Sequence, residues 1–168
     1  MPAPIIVAAL FAPEDQSWLD GLRRAHFPPE RNQLSAHLTL FHHLPPSSAK
    51  EVRQRLTEEA RDAPPPARAT GLISLGRGVA IRIASPGLEE IRAALADAFA
   101  GLLTPQDAAG WRPHVTIQNK VAPEAARALM AELGPSFRER PVRIAGIGAY
   151  WYRGGPWEPL SRHMFRGR

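Results

Sequence analysis

An α+β fold is what this sequence predicts: two pseudo-symmetric αβ lobes, antiparallel sheets flanking a central groove, and helices on the outer faces. Three observations lead there. Strand-like and helix-like runs alternate in an order that occurs twice along the chain. A short His-x-Thr-x segment falls at the same place in each copy. The breaks between runs are brief and rich in proline or glycine, and none is long enough to be a domain linker. Residues 1–168 are therefore expected to form a single bilobal domain.

The elements follow in order. Residues 4–11 carry Ile5, Ile6, Val7 and Phe11 and read as a buried strand. Pro13-Glu14-Asp15 opens a helix with acids in its first turn, and Trp18, Leu19, Leu22 and Ala25 recur at helical spacing until Pro28-Pro29. Residues 35–43 read as a second strand. Ser47 or Ser48 is placed to cap a helix over residues 49–61, which Pro64-Pro65-Pro66 ends. Residues 68–75 and 78–84 form a hairpin about Gly76-Arg77. Pro86 opens a third helix through Phe99, and residues 101–110 are a loop. Residues 113–121 are a strand, and Pro123 begins a fourth helix that Gly134-Pro135 closes. Residues 137–165 supply two or three further strands, broken at Arg153-Gly154-Gly155-Pro156. Folded in two, each half reads strand, helix, motif strand, helix, strand.

Composition narrows the chemistry. No cysteine is present, so disulfides, thiolate metal ligands and thiol nucleophiles are excluded, and a reducing compartment is the natural setting. The first strand is apolar but short, lacks a basic flank and meets Pro13-Glu14-Asp15 at once. It reads as neither a signal peptide nor a membrane span, so a cytoplasmic protein is expected. The net charge is +5, and only Lys50 and Lys120 are lysines. Arginine carries the rest, which suits a phosphate-bearing ligand as well as it suits an ordinary arginine-rich surface.

The repeated segment is the chemical signal. His37-Leu38-Thr39-Leu40 aligns with His114-Val115-Thr116-Ile117. With five threonines in the chain, one such match by accident occurs on the order of once in thirty histidines. Two matches at equivalent points of two sub-folds are far less expected. Side chains alternate along a strand, so His37, Thr39, Phe41 and His43 should share one face, and His114, Thr116, Gln118 and Lys120 another. Leu38, Leu40, Val115 and Ile117 then face the core. Facing lobes would line one groove with two imidazoles and two hydroxyls. Imidazoles work as base and acid near neutrality, hydroxyls donate to phosphate oxygens, and Lys120 or nearby arginines offset developing charge. No metal or cofactor is required.

These paired motifs, together with Gly71-Leu72-Ile73-Ser74-Leu75-Gly76 and Ala149-Tyr150-Trp151-Tyr152-Arg153, resemble the 2H phosphoesterase superfamily, in its bacterial 2′-5′ RNA ligase-like, or RNA 2′,3′-cyclic phosphodiesterase, branch. The resemblance covers nearly the whole chain. It implies His37 and His114 as the catalytic pair and Thr39 and Thr116 as phosphate donors. It implies hydrolysis of a 2′,3′-cyclic phosphate on an RNA end or nucleotide, usually to a 2′-phosphate; separately, so compact a two-lobed form needs no partner, and a monomer is expected. His114 is taken as base and His37 as acid, although the symmetry allows the exchange. After the first motif the chain departs from the family, with His42-His43-Leu44-Pro45-Pro46 in place of a Phe-Leu-Gly-type segment. Ligation through a 2′-5′ link, a cyclic phosphate derived from ADP-ribose, and a non-catalytic RNA- or nucleotide-binding module are the competing functions.

The remaining polar and aromatic residues divide between site and scaffold. His42 is expected on the back face, and His26 and His163 are expected to be structural. His43 and Phe41 belong to the groove face, where Phe41 stacks on a base or merely lines the groove. Arg112 and Trp111 precede the second motif and flank the pocket or pack. Of Tyr150, Trp151 and Tyr152 one side faces the groove, with Tyr152 the candidate contact.

Overall fold

A computed structural model describes residues 3–166. Strand β1 (Ile5–Phe11) is buried along nearly its whole length, as its unbroken apolar run requires. Helix α1 (Pro13–His26) starts on a proline and buries Leu19. Its Asp15 takes the Arg143 N–H at 2.8 Å and tethers the helix start to a distant strand. Strand β2 (Leu38–Leu44) carries the first motif, and helix α2 (Ala49–Glu59) follows a 3-10 turn at Pro46–Ser48. Ser48 stands at the N-cap position of α2, but its side chain makes no capping bond. Strands β3 (Pro66–Ser74) and β4 (Val79–Ala84) form the expected hairpin, with Gly76 in the left-handed region at φ 81°.

Helix α3 (Pro86–Ala98) is capped by Ser85, whose hydroxyl accepts the Leu88 N–H. The segment expected to be a bare loop holds one helical turn, α4 (Pro105–Ala108), capped by Thr104. Strand β5 (His114–Gln118) carries the second motif, and helix α5 (Pro123–Leu133) follows it. The C-terminal region folds as two strands, β6 (Arg140–Trp151) and β7 (Glu158–Met164).

All strand pairs are antiparallel. The order is β2-β1-β6-β3-β4-β5, with β7 also on β6. The two expected sheets are joined through β6: residues 140–143 pair with β3, and residues 144–151 pair with β1. Set against the sequence repeat, this is an exchange. The first repeat (β1-α1-β2-α2-β3) gives its last strand to β4, and the second (β4-α3-β5-α5-β6) gives its last strand to β1. The motif strands end the sheet on opposite sides, and the sheet bends until β2 and β5 touch.

End strands expose main-chain carbonyls that need partners. Here the partners come from the other half of the chain. Arg23 of α1 donates to the Thr116 carbonyl at 3.0 Å. Arg92 of α3 donates to the Leu40 carbonyl at 3.1 Å, and the Trp111 indole donates to the Thr39 carbonyl at 2.9 Å. Both motif strands are thus pinned across the groove. No helix among the described residues is long and apolar enough to cross a membrane.

Candidate active site

The site begins with an irregularity in β2. Val7 of β1 pairs with Phe41, but its neighbour Ala8 pairs with Thr39, so β2 carries one extra residue there. The bulge resets the alternation of side chains. Leu40 and Phe41 are both fully buried, and the Arg92 guanidinium lies 4.3 Å over the Phe41 ring. Phe41 is therefore core and off the groove face on which it was expected either to stack on a base or to line the groove. For the same reason His42 lines the groove with His37 and Thr39, whereas His43, beside a second irregularity in the pairing with β1, is exposed outside the chamber.

A chamber of about 280 Å³ lies where the two motif strands meet. His37, Thr39, His114 and Thr116 all line it, as the strand alternation predicts. Arg112 and Trp111 line it as well. The pseudo-symmetry extends to individual hydrogen bonds. The Nδ1 of His37 lies 2.9 Å from the Ser35 carbonyl, and the Nδ1 of His114 lies 2.7 Å from the Arg112 carbonyl, each two residues upstream. A carbonyl only accepts, so each Nδ1 carries the hydrogen and each Nε2 is left free. Burial holds His37 below the ordinary imidazole range against the opposing bond from its Ser35 carbonyl. The Arg23 charge lowers it further, as would His42 or His114 when protonated.

Two expected contacts lie elsewhere. Strand β5 ends at Gln118, and Lys120 sits beyond it in a left-handed turn at φ 61°, exposed and outside the chamber. Strand β6 ends at Trp151, so the alternation that would have carried Tyr152 to the groove stops one residue short. Tyr152 is exposed and lines neither chamber. Tyr150 faces the groove instead, its ring lying over Gly148, where a Cβ would come within 2.6 Å of the Tyr150 hydroxyl. Tyr150 packs on Trp157, and Trp157 packs on His37 with ring centroids 4.6 Å apart. These aromatics line a second chamber of about 530 Å³ that meets the first at His37.

Sequence reasoning missed Asp107 altogether. It is buried on α4, and its carboxylate accepts the His42 and His43 N–H groups at 2.9 to 3.0 Å. It also lies 3.2 Å from His42 Nδ1. Burial alone would raise its pKa, but these bonds from His42 and His43 bring it below the usual carboxylate range. Nothing local marks Asp107, because its partners are more than sixty residues away in sequence.

This geometry of paired imidazoles in a duplicated antiparallel fold defines a class, and comparison with known proteins agrees with it. The family model described as the 2′-5′ RNA ligase superfamily matches residues 11–156, so the chain belongs to that superfamily of phosphoesterases and ligases, the 2H enzymes. Solved structures share the fold over almost their full length. TT0787 of Thermus thermophilus is 17% identical with a TM-score of 0.65, covering 98% of this chain and 99% of that one. LigT of E. coli complexed with NADP+ is 19% identical with a TM-score of 0.60, covering 98% and 99%. LigT complexed with 3′-AMP is 20% identical with a TM-score of 0.57, covering 99% and 100%. No curated protein matches the chain.

Proposed function

We propose that this protein hydrolyses a 2′,3′-cyclic phosphate on an RNA end or nucleotide, with His37 and His114 as its acid–base pair and without a metal. The observation that carries the reading is the matched pair of free Nε2 atoms, each set by an Nδ1–H bond to the carbonyl two residues upstream, on the walls of one chamber. A binding module needs no such matching. Structures of LigT with 3′-AMP, ATP and NADP+ support a nucleotide ligand.

The chemistry follows from the positions. The cyclic phosphate sits between the imidazoles, and the Thr39 and Thr116 hydroxyls donate to its two non-bridging oxygens. One Nε2 takes a proton from water as the water oxygen attacks phosphorus in line. The other imidazole, protonated, gives its proton to the departing ribose oxygen, and the P–O bond to that oxygen breaks. If the 3′ oxygen leaves, the product is a 2′-phosphate. Burial and nearby positive charge disfavour the protonated form of His37, which suits the base. The roles we favour are thus His37 as base and His114 as acid, the reverse of the sequence-based assignment.

Turnover of nucleoside 2′,3′-cyclic phosphates in excess EDTA, beside His37→Ala and His114→Ala, tests the mechanism. Each variant should lose about 10²- to 10⁴-fold in kcat. Activity that requires a metal, or that survives both substitutions, overturns it. A phosphodiester with a good leaving group separates the roles. Loss of the acid matters less when the leaving oxygen needs no proton, so His114→Ala should recover more than His37→Ala.

A further inference from the structure

His42 is a third imidazole in the chamber, and the reaction just proposed does not use it. Its place is built. The bulge in β2 turns it inward, and the buried Asp107 carboxylate faces its Nδ1 at 3.2 Å and accepts its N–H. Asp107 is itself held, since the Arg92 guanidinium donates to its carbonyl at 2.6 Å and to the Leu40 carbonyl at 3.1 Å. A carboxylate at Nδ1 takes the hydrogen of that nitrogen, so a phosphate at Nε2 is held by the doubly protonated ring, which donates from both nitrogens. The Nε2 of His42 bonds to no described residue, and His42 is half exposed toward the chamber. Arg112, which lines the same chamber, makes no side-chain hydrogen bond or ion pair among the described residues.

Counting donors against acceptors shows a surplus. A cyclic phosphodiester has one negative charge and two non-bridging oxygens. Thr39 and Thr116 suffice for those oxygens, and His37 and His114 for the attacking and departing ones. His42 and Arg112 are left over, one backed by a carboxylate and the other a fixed cation. We propose that His42, with Arg112, forms a subsite for a second phosphate group of the substrate. The preferred substrate then carries another phosphate close to the cyclic one, either a terminal phosphate on the same nucleoside or the next phosphodiester of an RNA chain. This inference rests on the proposed function for the first phosphate but is tested by binding, without turnover.

The probes are a nucleoside 3′-phosphate, the corresponding 3′,5′-bisphosphate, and a dinucleotide with one internal phosphodiester and a 3′-phosphate. Their affinities for the intact protein are measured by calorimetry in EDTA. The second phosphate should tighten binding by about tenfold or more, as charge-assisted hydrogen bonds do. Gain with the bisphosphate alone identifies a terminal phosphate, and gain with the dinucleotide identifies the RNA backbone. His42→Asn keeps a donor at the Nδ1 position for Asp107 but has no atom at Nε2, so the gain should disappear in a folded protein. His42→Gln places an amide nitrogen near Nε2 and should restore part of it. Equal affinities for all three probes, or a gain that His42→Asn leaves intact, overturns the subsite. If the gain behaves as stated while no cyclic phosphate is hydrolysed, the proposed function fails and the subsite stands.

Discussion

Single residues in this site act through the proton they hold or refuse. Burial lowers the His37 pKa, so the folded protein binds that proton less readily than the unfolded chain, whose imidazole titrates near its ordinary value of about 6.5. Between the depressed value and that ordinary one, the unfolded state carries more protons, and stability rises with pH. The protein should therefore lose stability as the pH falls through this window. His163, lowered by burial and by the Arg53 charge, adds to the same slope. His37→Asn keeps a donor for the Ser35 carbonyl and removes the titration. Urea midpoints between pH 5 and 7, values chosen to bracket the ordinary imidazole pKa of about 6.5, should fall less steeply for the variant than for the parent. Asp107 behaves in the opposite sense. Its folded pKa is depressed, so its contribution is present above the ordinary carboxylate range and is lost as the pH falls through the folded value. Asp107→Asn puts an amide against buried N–H groups that now meet a carboxylate. It should cost about 1.5–3 kcal/mol in urea unfolding at neutral pH.

The motif strands show what a sequence can and cannot disclose about an element. His37, Thr39, His114 and Thr116 were legible because each strand starts with its pleat in register and the motif occurs twice. Beyond Thr39 the reading fails, since nothing in Leu40-Phe41-His42-His43 marks an extra residue against β1. The bulge is defined by the partner strand, where Val7 and Ala8 take Phe41 and Thr39. One inserted residue moves the side chains that follow it to the other face, up to the second irregularity between Ile5 and Val7, after which Leu44 is buried again. Phe41 went to the core and His42 to the groove for this single reason. Lys120 and Tyr152 failed differently, because alternation was extended past the ends of β5 and β6. The buried position of Phe41 has a measurable consequence. Phe41→Ala should destabilise the fold by about 3–5 kcal/mol, whereas a residue that merely stacks on a bound base would cost little in the free protein. His43→Ala should stay within about 0.5 kcal/mol of the parent, because the ring is exposed. Finding the larger loss at His43 would mean that the strand runs without its bulge.

At the scale of the whole molecule, the exchange of strands ties the site to the stability of the entire chain. A lobe built from its own consecutive strands could unfold by itself and leave half a groove. Here β1 needs β6 from the far end of the sequence, and β4 needs β3 from the first repeat. The carbonyls of β2 and β5 are held by Arg92, Trp111 and Arg23 from opposite halves. Neither motif strand keeps its partners if the other half opens. Thermal unfolding should accordingly be one cooperative transition, with calorimetric and van't Hoff enthalpies in agreement. At about 0.7 kcal/mol per residue, a chain of 168 residues should absorb roughly 120 kcal/mol near 60 °C. Removing one brace tests the coupling without removing a strand. Arg92→Met keeps much of the side-chain volume but leaves the Leu40 and Asp107 carbonyls without their donor. A brace inside one cooperative unit lowers the midpoint of the single transition and leaves it single. A second, separate transition in that variant would show that the lobes are independent, and the groove between them would then be a junction of two domains.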